Sequence, residues 1–256
     1  MLTNRIPPPG RSKEKVLAMT AASLPHCTTP PDVTLCTMNL LRRSRLVLAF
    51  LTLAAVALAS PERWQEDIDA FVARDAAHAP TPGGVVFVGS SSIRMWTSLA
   101  ADFSGHAVVN RGFGGSELAD SVHFFDQLVA PHAPRMVVLY AGDNDLWSGK
   151  TPEAVFADFQ AFCTKLHAAF PKARLAYLAI KPSPSRWKTR DAIVDTNALI
   201  AAECARDPRR VFVDVFTPML APDGKPRSEL FLEDMLHMNQ AGYALWTAQL
   251  APVLKP

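Results

Sequence analysis

Cysteine is scarce in this chain, with four in 256 residues, and no group of Cys and His falls at metal-ligand spacing, so no structural metal module is encoded. An excess of one charge is also missing, since the formal net charge is +2. Seven of the 26 Lys/Arg and two of the 24 Asp/Glu lie in residues 1–59, which leaves 19 and 22 from Ser60 on, a net of −3. A mildly acidic domain without a basic stripe excludes nucleic acid as a partner. No internal repeat is visible. What remains is 49% hydrophobic and 20% charged, which suits one globular α/β domain with a sizeable core and some additional sequence.

The additional sequence is at the N-terminus. Arg42, Arg43 and Arg45 precede an apolar run over residues 46–58, followed by Ala57-Leu58-Ala59-Ser60. This is the charged, apolar and small-residue order of a secretory signal, and the run is too short to span a membrane comfortably. An uncleaved anchor is the competing reading. No cysteine follows the run, so a lipoprotein anchor is unsupported, and the paired arginines fit a twin-arginine signal poorly. Met38 lies just ahead of the arginines. Residues 1–37 hold Pro7-Pro8-Pro9 and Thr28-Thr29-Pro30-Pro31 without periodicity, and read as disordered or as sequence from an upstream start codon. The expectation is therefore a signal peptide over residues 38–59 and an exported, periplasmic or secreted domain over residues 60–256, with no stable membrane association after cleavage. Cys27 and Cys36 fall in the leader. Cys163 and Cys204 fall on expected helices of the domain, where an oxidising compartment would permit pairing if their separation did.

Residues 61–77 place Trp64, Ile68 and Phe71 at helical spacing, a helix for the outside of the domain. Short apolar runs then alternate with helical segments. Strands are expected at residues 85–88, 107–109, 136–140, 174–180 and 211–213. Helices are expected from the serines after the first strand to about Leu99, then over residues 116–129, from Pro152 to about Ala169, and over residues 191–205 and 239–250. Thr151-Pro152-Glu153 supplies a capping residue, a proline at the first helical position and an acid. Such alternation implies right-handed crossovers and a parallel sheet covered on both faces: one three-layer α/β domain.

In a parallel sheet, the loops after the strands share one edge, where ligands bind. Gly89-Ser90-Ser91-Ser92, residues 112–116, Gly142-Asp143-Asn144-Asp145 and Asp234-Met235-Leu236-His237 then meet. Together they contain a hydroxyl, a base, an acid to orient it and donors for an oxyanion, the set that acyl transfer by serine needs. Each has a plainer reading: a helix cap for a serine, a tight turn for the glycines, an Asx-turn for Asn144 and a helix-start position for His237. Rival motifs fail. A G-x-S-x-G elbow is broken by Ile93, and G-x-G-x-x-G is broken at Glu117. Asp143 and Asp145 lack further carboxylates at the spacing of a metal loop, and local structural hydrogen bonds are expected of Asp145.

Over roughly residues 85–250, these blocks resemble the SGNH/GDSL hydrolases. Gly89-Ser90-Ser91 is similar to the Gly-Asp-Ser block, with Trp96 at the spacing of a tryptophan often found there. Residues 110–115 resemble the second block, Gly142-Asp143-Asn144-Asp145 the Gly-x-Asn-Asp block, and residues 234–237 the Asp-x-x-His block. The resemblance implies a flavodoxin-like fold with five parallel strands ordered 2-1-3-4-5. It implies Ser91 as nucleophile, His237 as base and Asp234 as its orienting acid. The oxyanion hole it implies is formed by Ser91 N–H, Gly115 N–H and the Asn144 amide. One departure is Ser90, where the family has aspartate. This loosens the register and keeps Ser90 and Ser92 as alternatives, although GSSSIRMW resembles a bacterial subgroup with that variation.

The function implied is two-step hydrolysis of small acyl or acetyl esters, acylated carbohydrates among them, with no cofactor. An O-acetyltransferase with the same triad and a silent carbohydrate-binding envelope protein are the alternatives. Trp147, Lys181, Arg186 and Trp187 lie on later strand-end loops. They are candidates for shaping the substrate site, against an equal claim as ordinary loop or packing residues.

Overall fold

The computed structural model describes residues 61–255; the expectations for residues 1–37 and 38–59 lie outside them. Five parallel strands form one sheet in the order β2-β1-β3-β4-β5. They are β1 Val85–Gly89, β2 Val108–Gly112, β3 Met136–Tyr140, β4 Arg174–Leu178 and β5 Arg210–Val213. In register, Phe87 of β1 stands beside Asn110 of β2 and Val138 of β3. Both β1 and β3 are buried along their whole length, which is why they read as unbroken apolar runs rather than alternating ones.

Alternation appears instead between the two faces. Val86, Val88, Val137, Leu139 and Tyr177 point into one core, while Val85, Phe87, Met136, Val138 and Tyr140 point into the other. The first core is covered by α1 Gln65–Ala77, α4 Leu118–His123, α5 Phe125–Leu128, α7 Pro152–Ala169 and α8 Arg190–Cys204. The second is covered by α2 Ser91–Arg94, α3 Leu99–Asp102 and α9 Gln240–Leu254. Trp96 anchors this side, its ring packed against Phe87, Phe103, Tyr243 and Trp246. Burying one such aliphatic or aromatic side chain is worth about 1.5–3 kcal/mol.

The main departures from the sequence expectation are at helix boundaries. The helix after β1 is two short pieces, α2 and α3, because Trp96 turns into the core and its Nε1 donates to Asp102 Oδ2 at 2.7 Å. The helix expected over residues 116–129 starts later, at Leu118, and is also two pieces, α4 and α5. There Asp120 Oδ2 accepts the Glu117 N–H at 2.8 Å, and the buried Asp145 carboxylate accepts the Leu118 N–H at 3.1 Å. β2 runs on to Gly112, so Asn110 and Arg111 lie within the sheet. The helix starts expected near residues 152 and 239 are held by local capping bonds. Thr151 Oγ1 accepts Ala154 N–H, and Asn239 Oδ1 accepts Ala241 and Gly242 N–H. Cys163 and Cys204 are both free and buried, and burial pushes both thiols up to about 12.

Candidate active site

β1 delivers its serines through a close approach to β3. Gly89 has φ +145, and a Cβ there would collide with the Tyr140 carbonyl oxygen. The chain then enters α2, with Ser91 as its first residue. Ser90 and Ser92 are buried, whereas Ser91 is partly exposed, with its Oγ 3.0 Å from His237 Nε2. Among the described residues no such contact joins Ser90 or Ser92 to His237, so the geometry favours Ser91 as the hydroxyl in register.

His237 is carried by the loop between β5 and α9. Its Nδ1 lies 2.6 Å from Asp234 Oδ2, while Asp234 Oδ1 accepts the backbone N–H groups of Leu236 and His237, each at 2.9 Å. Partial burial would raise the Asp234 carboxyl, but these three hydrogen bonds and the nearby ring outweigh it and hold it down to about 2. An ionised Asp234 requires the proton on Nδ1, which leaves Nε2 as acceptor for the Ser91 hydroxyl. The loop is drawn tight at Met235, whose φ of 54 is left-handed for a non-glycine residue. It is pinned there, since the Met235 carbonyl accepts both Ser185 N–H and Ser185 Oγ–H.

The loop after β2 brings Gly115, at φ +78, with a backbone N–H that has no acceptor among the described residues. After β3 the chain enters α6, Asp143–Trp147, so Asn144 sits in a helical first turn rather than an open loop. Its Nδ2 donates to the Ser116 carbonyl at 2.9 Å, which ties the Asn144 amide to the Gly115 turn. The structure thus joins Ser91, His237 and Asp234 by side-chain contacts and brings Asn144 against Gly115–Ser116.

The four further candidates separate. Trp147 is 43% exposed, with Lys188 Nζ 4.1 Å and the Arg186 guanidinium 5.3 Å from its ring. Trp187 is half-buried beneath Arg190. Lys181, considered as a substrate contact, is instead 1% exposed, and its Nζ donates to Asp143 Oδ2 at 2.9 Å. A buried Asp143 needs a cation in place of lost water, and that requirement takes Lys181 away from the surface. Burial pushes the Asp143 carboxyl up, but Lys181 and Arg186 together bring it below its ordinary value. Asp145 makes the local bonds expected of it, to Leu118 N–H and Lys150; burial, partly offset by Lys150, pushes its carboxyl up to about 6.

Trp64, expected on an outer helix, ends the 3-10 turn that leads into α1 and reaches this site. A Cβ on Gly115 would lie 3.0 Å from its ring. Its Nε1 donates to Asp120 at 3.0 Å, and its ring packs edge-on against Phe113. The sequence signal was present in the helical spacing of Trp64, Ile68 and Phe71. What was missing was which strand-end loop that helix would cover.

The same architecture occurs in solved structures of low sequence identity. A proposed platelet activating factor from Streptococcus pneumonia superposes with a TM-score of 0.67 at 21% identity, covering 78% of this chain and 99% of the other. A GDSL-like lipase from Bacteroides thetaiotaomicron gives 0.61 at 21% identity, covering 76% and 97%. A carbohydrate esterase family 3 protein from Talaromyces cellulolyticus gives 0.53 at 16% identity, covering 67% and 96%. No match is found among curated proteins. At the level of sequence, residues 80–245 match the model of the GDSL-like lipase/acylhydrolase family, which is most of the chain and all four strand-end blocks, and the chain belongs to that family.

Proposed function

We propose that the protein is a serine esterase that hydrolyses small acyl esters, acetylated carbohydrates among them, through an acyl-enzyme. The observation that carries this reading is the unbroken relay from Ser91 Oγ to His237 Nε2 at 3.0 Å and from His237 Nδ1 to Asp234 Oδ2 at 2.6 Å. Ser91 Oγ attacks the ester carbonyl while His237 Nε2 takes its proton. The oxyanion that forms receives hydrogen bonds from Ser91 N–H, Gly115 N–H and the second Asn144 Nδ2 hydrogen, each donor typically worth on the order of 10²–10³ in turnover. His237 passes its proton to the departing alkoxide, leaving the acyl group on Ser91. Water then attacks with His237 again as base, releasing the acid and restoring Ser91.

Two observations support a carbohydrate leaving group. One protein that shares the fold is a carbohydrate esterase, and Trp147 offers an exposed ring on the helix that carries Asn144. Export of the domain is part of the proposal. Among the described residues, no helix is long and apolar enough to cross a membrane.

Release of p-nitrophenol from acetyl through octanoyl esters tests the reading, with Ser91→Ala and His237→Ala compared in parallel. Activity that falls with lengthening acyl chain and is lost in both variants is expected. Activity surviving Ser91→Ala would overturn Ser91 as nucleophile. Turnover that appears only when a sugar hydroxyl is supplied would favour the acetyltransferase.

A further inference from the structure

Asn144 is held at both ends of its amide. Nδ2 donates to the Ser116 carbonyl, and Oδ1 accepts from Arg186 Nη1, each at 2.9 Å. A guanidinium can only donate, so it admits the amide in one orientation, with oxygen toward Arg186 and NH₂ toward the Gly115–Ser116 turn. The flipped amide would set its NH₂ against a cation and its oxygen against a carbonyl. Arg186 is itself fixed. Its Nη1 lies 2.9 Å from Asp143 Oδ1, its guanidinium packs over the Trp147 ring, and its side chain is 12% exposed. The other Asp143 oxygen is taken by Lys181. Asp143, Lys181 and Arg186 together carry one net positive charge in a partly water-excluded site, where a fixed charge acts more strongly than in solvent.

We propose that Arg186 is a positioning residue for ester hydrolysis. It locks the Asn144 amide with its NH₂ turned to the developing oxyanion, and by donating to Oδ1 it polarises that amide into a stronger donor. One Nδ2 hydrogen goes to Ser116, and the second serves the transition state. The role rests on the Ser91 and Asn144 assignments made above. It differs from a substrate contact by Arg186 in what it predicts: the effect falls on kcat, and it passes through Asn144.

The test is a double-mutant cycle in full-chain protein on p-nitrophenyl acetate, with Arg186→Met, Asn144→Ala and the pair. Arg186→Met should lower kcat by about 10–100-fold, less than losing the donor outright, with KM within about twofold. In the Asn144→Ala background, the same substitution should change kcat by less than about threefold. Arg186→Lys keeps a cation for Asp143 but not the planar fork. It should restore the melting temperature without restoring kcat, and it replaces Arg186→Met in the cycle if the latter does not fold. Equal losses in both backgrounds, a raised KM at constant kcat, or unchanged kinetics would overturn the proposal. A fluorophosphonate probe keeps its failure apart from that of the underlying reading. Labelling that is lost in Ser91→Ala upholds the serine assignment whatever the cycle gives, and labelling that survives Ser91→Ala removes the basis of both.

Discussion

Replacing Asp234 by Asn changes no shape and reverses one proton. In the native loop, Asp234 Oδ1 accepts two backbone N–H groups at 2.9 Å, and Oδ2 faces His237 Nδ1 at 2.6 Å. The two backbone donors require an acceptor, so an asparagine would place its oxygen there and turn its NH₂ toward Nδ1. That nitrogen would then have to accept, and the imidazole proton would move to Nε2, where it faces Ser91 Oγ and cannot take a proton from it. In a triad, this tautomer error costs on the order of 10⁴ in kcat, about 5.4 kcal/mol of transition-state stabilisation. KM for p-nitrophenyl acetate should be nearly unchanged. Asp234→Ala should lose no more than Asp234→Asn, because an unheld ring samples both tautomers. The pH dependence has a definite sign. The folded Asp234 carboxyl is lowered from 3.8 to about 2, so its contribution to stability is present above about pH 4 and is lost as pH falls through about 2. A melting-temperature series from pH 5 to pH 2 should therefore show wild type losing more than Asp234→Asn. Retention of more than a tenth of wild-type kcat by Asp234→Asn would refute the tautomer argument.

Two further substitutions probe the supports of the site. Gly115→Ala places a Cβ at φ +78, 3.0 Å from the Trp64 ring, so it should lower stability by about 1–2 kcal/mol and displace the N–H, with a kcat loss of at least tenfold in steady-state assays. Lys181→Met leaves buried Asp143 with Arg186 as its remaining cation; a loss of about 3 kcal/mol is expected, which a thermal melt reads as a drop of about 6–12 °C.

Much of the fold was legible because strands buried on both faces leave an unmistakable record. Residues 85–88 and 136–140 are apolar without interruption, and each ends in a glycine-containing polar turn, which marks both the strand and the edge where chemistry collects. The starts of α7 and α9 were legible for a local reason, since Thr151 and Asn239 bond backbone groups within three residues. The breaks between α2 and α3 and between α4 and α5 were not, because they are set by partners far along the chain. Trp96 is drawn down by Tyr243 and Trp246, and Leu118 N–H by Asp145. The same distinction separates the site residues. Ser91, Asn144 and His237 stand in short motifs at strand and helix boundaries. The duties of Lys181 and Arg186 depend on Asp143, about forty residues earlier, and no spacing rule connects them.

Ser90 shows how the position beside the candidate nucleophile can act through its main chain alone. Ser90 N–H donates to the Tyr140 carbonyl at 3.2 Å, and its own carbonyl accepts the N–H groups of Ile93 and Arg94 at 3.0 and 3.1 Å. These main-chain bonds tie β1 to β3 and start α2, and any residue that can adopt φ −83 and ψ −159 makes them. The Ser90 side chain makes no capping bond and the residue is 3% exposed, so it does not reach the open face of the site. What the position must provide is a small side chain that tolerates burial and an extended backbone that aims the next residue outward. A serine meets both needs. Ser90 therefore acts through its backbone, and Ser91 through the hydroxyl that reaches His237.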